Sequence, residues 1–241
     1  MEPDLRDQVE TINYLYTFTF PNGKSYSLQA NLNSQTLTII PDQTGAYPEW
    51  TKLSYHQCDN CPLDELHYPQ CPAAVSMISL INFCKNLESC QEVTVTVASQ
   101  QRNYSKKTTL QIGLSSIAGI YMACSGCPIM AKLKPMARFH LPFADVDETS
   151  YRVFSMYFLA QYFLAQEGKK PDWNMNKLDD TYRKIASVNK TFCDRIRSVV
   201  LGDAGVNAVI VLDTLGNFIR VALDLDKIQD LKHLFTSYLH E

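Results

Sequence analysis

Tyr14-Leu-Tyr-Thr-Phe-Thr-Phe20-Pro-Asn-Gly-Lys24-Ser-Tyr-Ser-Leu-Gln-Ala30 is the stretch from which the fold is read. Its first seven residues are aromatic or β-branched with alternating polarity, the pattern of a half-buried strand. Asn22-Gly23 then suits the positive φ of a tight hairpin turn, and Ser25 onward alternates back as the partner strand. A second turn at 31–34 and the run Thr36-Leu-Thr-Ile-Ile40 extend this into an antiparallel meander. Such a sheet buries one face and offers an edge to partners. Residues 41–72 form a long irregular connection. A loop of that length inside a compact domain needs a reason to be ordered, and a bound metal is one.

Further along, Pro72 stands where a first helical position belongs, and Val75, Ile78, Leu80, Ile81 and Phe83 give residues 72–87 an apolar stripe. Residues 92–98 read as a strand. A turn near 102–106 precedes another at 108–112. Residues 112–123 read as a buried helix rich in small residues, broken at Cys124 to Cys127 and followed by a short helix over 128–133. Asp147 as N-cap and Gly168-Lys-Lys-Pro171 as stop frame a long helix. Apolar residues wrap its circumference, so it is expected to be buried on most sides as the core of a helical half, or to carry a homodimer interface. Residues 178–199 are amphipathic. Residues 203–223 fit a helix better than a hairpin, and 226–239 a final helix. The class is α+β: a mixed β/α domain over 1–110 with its cysteine-rich loop at 55–72, packed against a mainly helical domain over 111–241.

Hydrophobic residues make up 46% of the 241 and charged residues 20%, an ordinary globular balance. A net charge of -3 argues against a nucleic-acid surface spread over the molecule. The acidic N-terminus lacks the apolar core of a secretory signal. The run at 153–165 is too short and interrupted to span a bilayer. A soluble, cytoplasmic protein follows as the expectation. In that compartment eight cysteines read as thiols, metal ligands or redox groups before disulfides. Cys84, Cys90 and Cys193, isolated in apolar or mixed surroundings, read as small buried hydrophobes.

The other five concentrate chemistry. Cys58, Cys61 and Cys71 lie within eighteen residues together with His56 and His67, and Cys124-Ser-Gly-Cys127-Pro128 adds a second CxxC. Cys61, Cys71 and Cys127 each precede proline, so each is expected at a helix N-cap, where unpaired N–H groups stabilise a thiolate. A zinc site takes Cys58, Cys61, Cys71 and Cys127, with Cys124, His67 or His140 able to substitute for the last. An iron–sulfur centre would use the same sulfurs, but the ferredoxin spacing is absent. A redox dithiol would use Cys124 and Cys127 alone, without the strand that precedes such motifs. His140, in the apolar run 134–143, is a metal ligand, a general base, or a buried histidine bonded to backbone. Nucleotide-loop, nucleophile-elbow and HExxH patterns are missing.

Cys58-x-x-Cys61-Pro-Leu, Cys71-Pro, Ser125-Gly-Cys127-Pro and Pro135-Met-Ala-Arg-Phe-His-Leu-Pro-Phe143 together resemble an uncharacterised bacterial protein family, from about residue 55 onward. The resemblance implies a bacterial cytosolic origin and carries over no catalytic role. The expected function is a zinc-stapled interaction or regulatory module, with an unknown protein or a second copy as partner. The alternative is an oxidoreductase built on an iron–sulfur cluster or the CxxC dithiol.

Overall fold

In a computed structural model, which describes residues 10–41, 45–224 and 227–240, the opening hairpin forms half of a four-stranded antiparallel sheet. Strand β1 (Thr11–Thr19) pairs with β2 (Ser25–Asn33) in the register Tyr14↔Ala30 and Phe18↔Tyr26. Gly23 takes φ +82°, and its N–H donates to the Phe20 carbonyl at 2.9 Å, closing the turn. Thr36–Ile40 is not a third strand. It contributes one bridge, Leu32↔Ile39, and the neighbour of β1 is instead β3 (Glu92–Ala98), which pairs onward with β4 (Asn103–Thr109). Two hairpins thus meet through β1 and β3. The lone bridge is explained by Leu37, whose φ of +52° breaks the extended run.

Alternation does the rest. Tyr14, Tyr16 and Phe18 on β1, Leu28, Ala30 and Leu32 on β2, and Val93, Val95 and Val97 on β3 all point to one buried face. Helix α3 (Leu110–Ala123) lies against that face. A Cβ on Gly113 would stand 2.7 Å from Val95 Cγ2 and 2.8 Å from Phe18 Cε1, so this glycine sets how closely helix and sheet approach. The opposite sheet face keeps Leu15 exposed.

Residues 72–87 make two short helices rather than one, α1 (Pro72–Ser76) and α2 (Ile78–Cys84). After α3 come a 3-10 turn at Met130–Leu133 and α4 (Lys134–Arg138). Helix α5 (Val146–Gln166) is capped by Asp145, two residues before the expected position, in a capping box with Glu148. It is not buried on most sides: Tyr151, Leu159, Tyr162 and Phe163 are about half exposed or more. Helices α6 (Asn176–Arg197) and α7 (Ala204–Asp224) pack on each other, and α7 also packs on α3. The third layer is this pair, and 203–223 is helix, not hairpin. A 3-10 stretch (Lys227–Phe235) and α8 (Thr236–Leu239) end the described chain where one helix was expected. The main core draws on the sheet, α3, α6 and α7, and a smaller one joins α5 to α6 and α7. The acidic N-terminal segment and Asp226 lie outside the described residues.

Candidate metal centre

The long loop is pinched at its neck. Lys52 bridges Gln70, the Leu53 N–H donates to Pro69 at 3.0 Å, and the Cys71 N–H donates to Thr51 at 2.7 Å. Its head is docked on α6: Asn60 Nδ2 donates to the Lys184 carbonyl and the Tyr55 hydroxyl to Ser198. Arg195 holds the neck from below. It is 2% exposed, and its guanidinium donates to the carbonyls of Trp50 (2.6 Å), Lys52 (2.8 Å), Leu53 (3.4 Å) and His56 (2.9 Å).

This docking brings four sulfurs together. Cys58, Cys61, Cys71 and Cys127 line one cavity of about 20 Å³, closed by Leu53, Val188, Phe192 and Arg195. A volume of that size holds roughly one water-sized sphere. A single ion matches it better than a substrate or a multi-iron cluster. All four cysteines are free thiols. Burial, then the neighbouring Cys71, Cys61 and Cys127, pushes the Cys58 thiol up to about 12, against the pull of Arg195. Burial also raises Cys127, opposed by the N–H groups of Met130 and Ile129 donating to its sulfur. The same burial lowers Arg195, and Cys71 and Cys58 oppose that. Four sulfurs are soft donors of the kind zinc takes, and the buried guanidinium beside them would offset part of their charge once ionised. They are not drawn into a cage: among the described residues no three Cys, His, Asp or Glu side chains reach metal-bonding geometry together.

Two residues of the expected ligand set lie elsewhere. Cys124 caps the C-terminus of α3, fully buried, and its carbonyl accepts the Ile39 N–H at 2.8 Å. Gly126, at φ +97°, turns the chain so that Cys127 faces the loop while Cys124 does not. His140 sits beside β1, bonded through Nε2 to the Tyr16 hydroxyl, in a different cavity. Burial drives it down to about 3, so it is neutral. His67 is exposed and bonded to Asp64. The N-cap expectation holds for Cys71, though its side chain makes no cap bond. Cys61-Pro62 opens no helix, and the 3-10 turn after Cys127 begins at Met130. Cys84 and Cys193 are buried, whereas Cys90 is exposed.

Arg195 was missed from sequence. The signal was present: it lies between Phe192 and Ile196 on the apolar stripe of an amphipathic helix, where a solvated arginine does not belong.

Among the described residues one helix, over Ala204–Val221, is long and apolar enough by length and composition to cross a membrane, and it is the α7 that packs on α3 and α6. No curated protein and no solved structure gives a significant match to the chain. One family does match, over residues 14–236, and it is described as a domain of unknown function. That span takes in the sheet, the cysteine loop and all three long helices, so the chain belongs to the DUF6901 family.

Proposed function

We propose that the protein is a zinc-stapled, non-catalytic interaction module. Cys58, Cys61, Cys71 and Cys127 are the ligands, and the ion would tie the loop to the chain that follows α3. The observation that carries this reading is the shared single-ion cavity with its four free thiols and the buried guanidinium beside it. On taking up the ion the thiols would lose their protons, so that binding free energy becomes folding free energy. Arg195 would offset part of the negative charge of four thiolates. A redox dithiol asks for an exposed cysteine with a lowered pKa; burial raises both Cys124 and Cys127, and they face different ways.

The interaction part of the reading rests on α5. Tyr151, Leu159, Tyr162 and Phe163 recur at helical spacing and leave an aromatic stripe in solvent. Contiguous exposed apolar surface of this kind marks contact with another macromolecule, and a second copy of the chain is the simplest occupant.

The test is elemental analysis of protein purified without oxygen, with its visible spectrum. About one zinc per chain and no colour is the result expected for four thiolate ligands. Iron with a visible chromophore, or no metal after purification in zinc, overturns the reading.

A further inference from the structure

A second and much larger cavity, of about 360 Å³, lies where α3, α5, α6 and α7 converge. Its walls are mostly apolar, with Ile112, Ile185, Leu212, Leu215 and Ile219 among them. One edge is polar. There the Tyr16 hydroxyl joins Ser116 (2.8 Å) to His140, and Arg152 stands beside them.

Arg152 is the unbalanced group. Nη2 donates to the carbonyls of Met136 (2.7 Å) and Phe139 (3.0 Å), and no hydrogen bond to a described residue uses Nε or Nη1. No carboxylate among the described residues lies within salt-bridge distance of it, although Glu148 is near enough to favour its charge. Asp145, which also lines the cavity, and Glu148 spend oxygens on each other's backbone in the capping box. The exposed Lys106 adds a second positive charge at the rim, over the Phe143 ring. His140 is neutral and answers neither cation. A partly desolvated guanidinium with N–H groups unspent and no carboxylate in contact, lining a mostly apolar cavity, can take one more charge-assisted partner.

We propose that this cavity binds a medium-chain monocarboxylate, its carboxylate on the remaining N–H groups of Arg152 and its chain along the Tyr182–Ile185 face of α6. The size follows from the volume. A cavity of about 360 Å³ falls within the range of small-ligand pockets and gives room for a chain of about ten carbons. The far wall offers apolar side chains from α7, so a second charge at the other end of the ligand would be stranded. The carboxylate therefore sets orientation and the chain supplies the buried area.

The test is calorimetric titration of the full chain with sodium decanoate below its micellar concentration, beside decanol and sebacate. Decanoate is expected to bind at least tenfold more tightly than either. Arg152→Met is expected to abolish that preference. Because Arg152 also holds the end of α4, a second variant is needed: Leu215→Trp fills the cavity and leaves the guanidinium in place. It is expected to weaken decanoate at least tenfold with an unchanged melting profile. Decanoate that binds no better than decanol, or equally well to the filled variant, overturns the proposal, as does wild-type protein that binds none of the three.

Discussion

A guanidinium in a protein interior needs acceptors for its donors, and Arg195 spends its four terminal N–H groups on four carbonyls of one loop neck. Replacing it with methionine keeps the packing volume but leaves buried carbonyls unpaired, at ~1–3 kcal/mol for each such group. Arg195→Met is therefore expected to lower unfolding free energy by about 3 kcal/mol or more in urea titrations; a change under about 0.5 kcal/mol would mean that the neck is held by something else. His140 makes a second prediction. Its pKa falls from 6.5 to about 3 on folding, so folding favours the neutral ring. The stability this confers is complete above pH 6.5 and is lost as pH drops from 6.5 towards 3. His140→Gln is expected to flatten the stability–pH profile across that window. An unaltered slope would place the acid-sensitive group elsewhere.

Elements show what local pattern reveals and where it stops. The β1–β2 hairpin was legible because turn chemistry and alternation agree at Asn22-Gly23. Helix α6 was legible from apolar residues at helical spacing, and the same spacing favoured helix over hairpin for α7. The partner of β1 was not, because β3 lies far down the chain and pairing at that distance leaves no local trace. The burial of α5 was misjudged for a related reason: composition counts apolar residues, but only neighbours decide which of them are covered. Of the residues named for the candidate site, Cys58, Cys61, Cys71 and Cys127 line one cavity and His140 lies in another. Cys124 faces away from both, since three residues of separation do not tell which way Gly126 turns the chain. The junction between α6 and α7 was likewise silent in the sequence. There the Leu201 and Gly202 N–H groups donate to the Lys85 carbonyl, and Asp203 accepts from Ser89. A Cβ on Gly202 would stand 2.3 Å from the Leu87 carbonyl oxygen, a backbone atom that cannot step aside. Gly202→Ala is expected to cost about 2 kcal/mol or more, read as a melting temperature lower by roughly 4–8 °C for a chain of this size.

At the scale of the whole molecule, stability is expected to depend on pH and, through the proposed centre, on zinc. Without metal, folding prefers the Cys58 thiol protonated, since its pKa rises from 9.0 to about 12. That contribution is intact below pH 9 and fades as pH climbs from 9 towards 12. A zinc-loaded chain has already given up those protons, so its weak side is expected in acid, where protons compete for the sulfurs. Melting metal-free and zinc-loaded protein across pH is expected to give profiles that lean in opposite directions, and superimposable profiles would refute the centre. Cys61→Ser is expected to lower the melting temperature of the zinc-loaded protein by about 5 °C or more and to leave the metal-free protein nearly unchanged. The clasp formed by Arg195 has a temporal meaning as well. The carbonyls it holds belong to residues 139 to 145 positions earlier in the chain. A ribosome therefore releases the cysteine loop long before it delivers the side chain that fastens it. Through that interval the loop has only the bonds of its own neck to hold it.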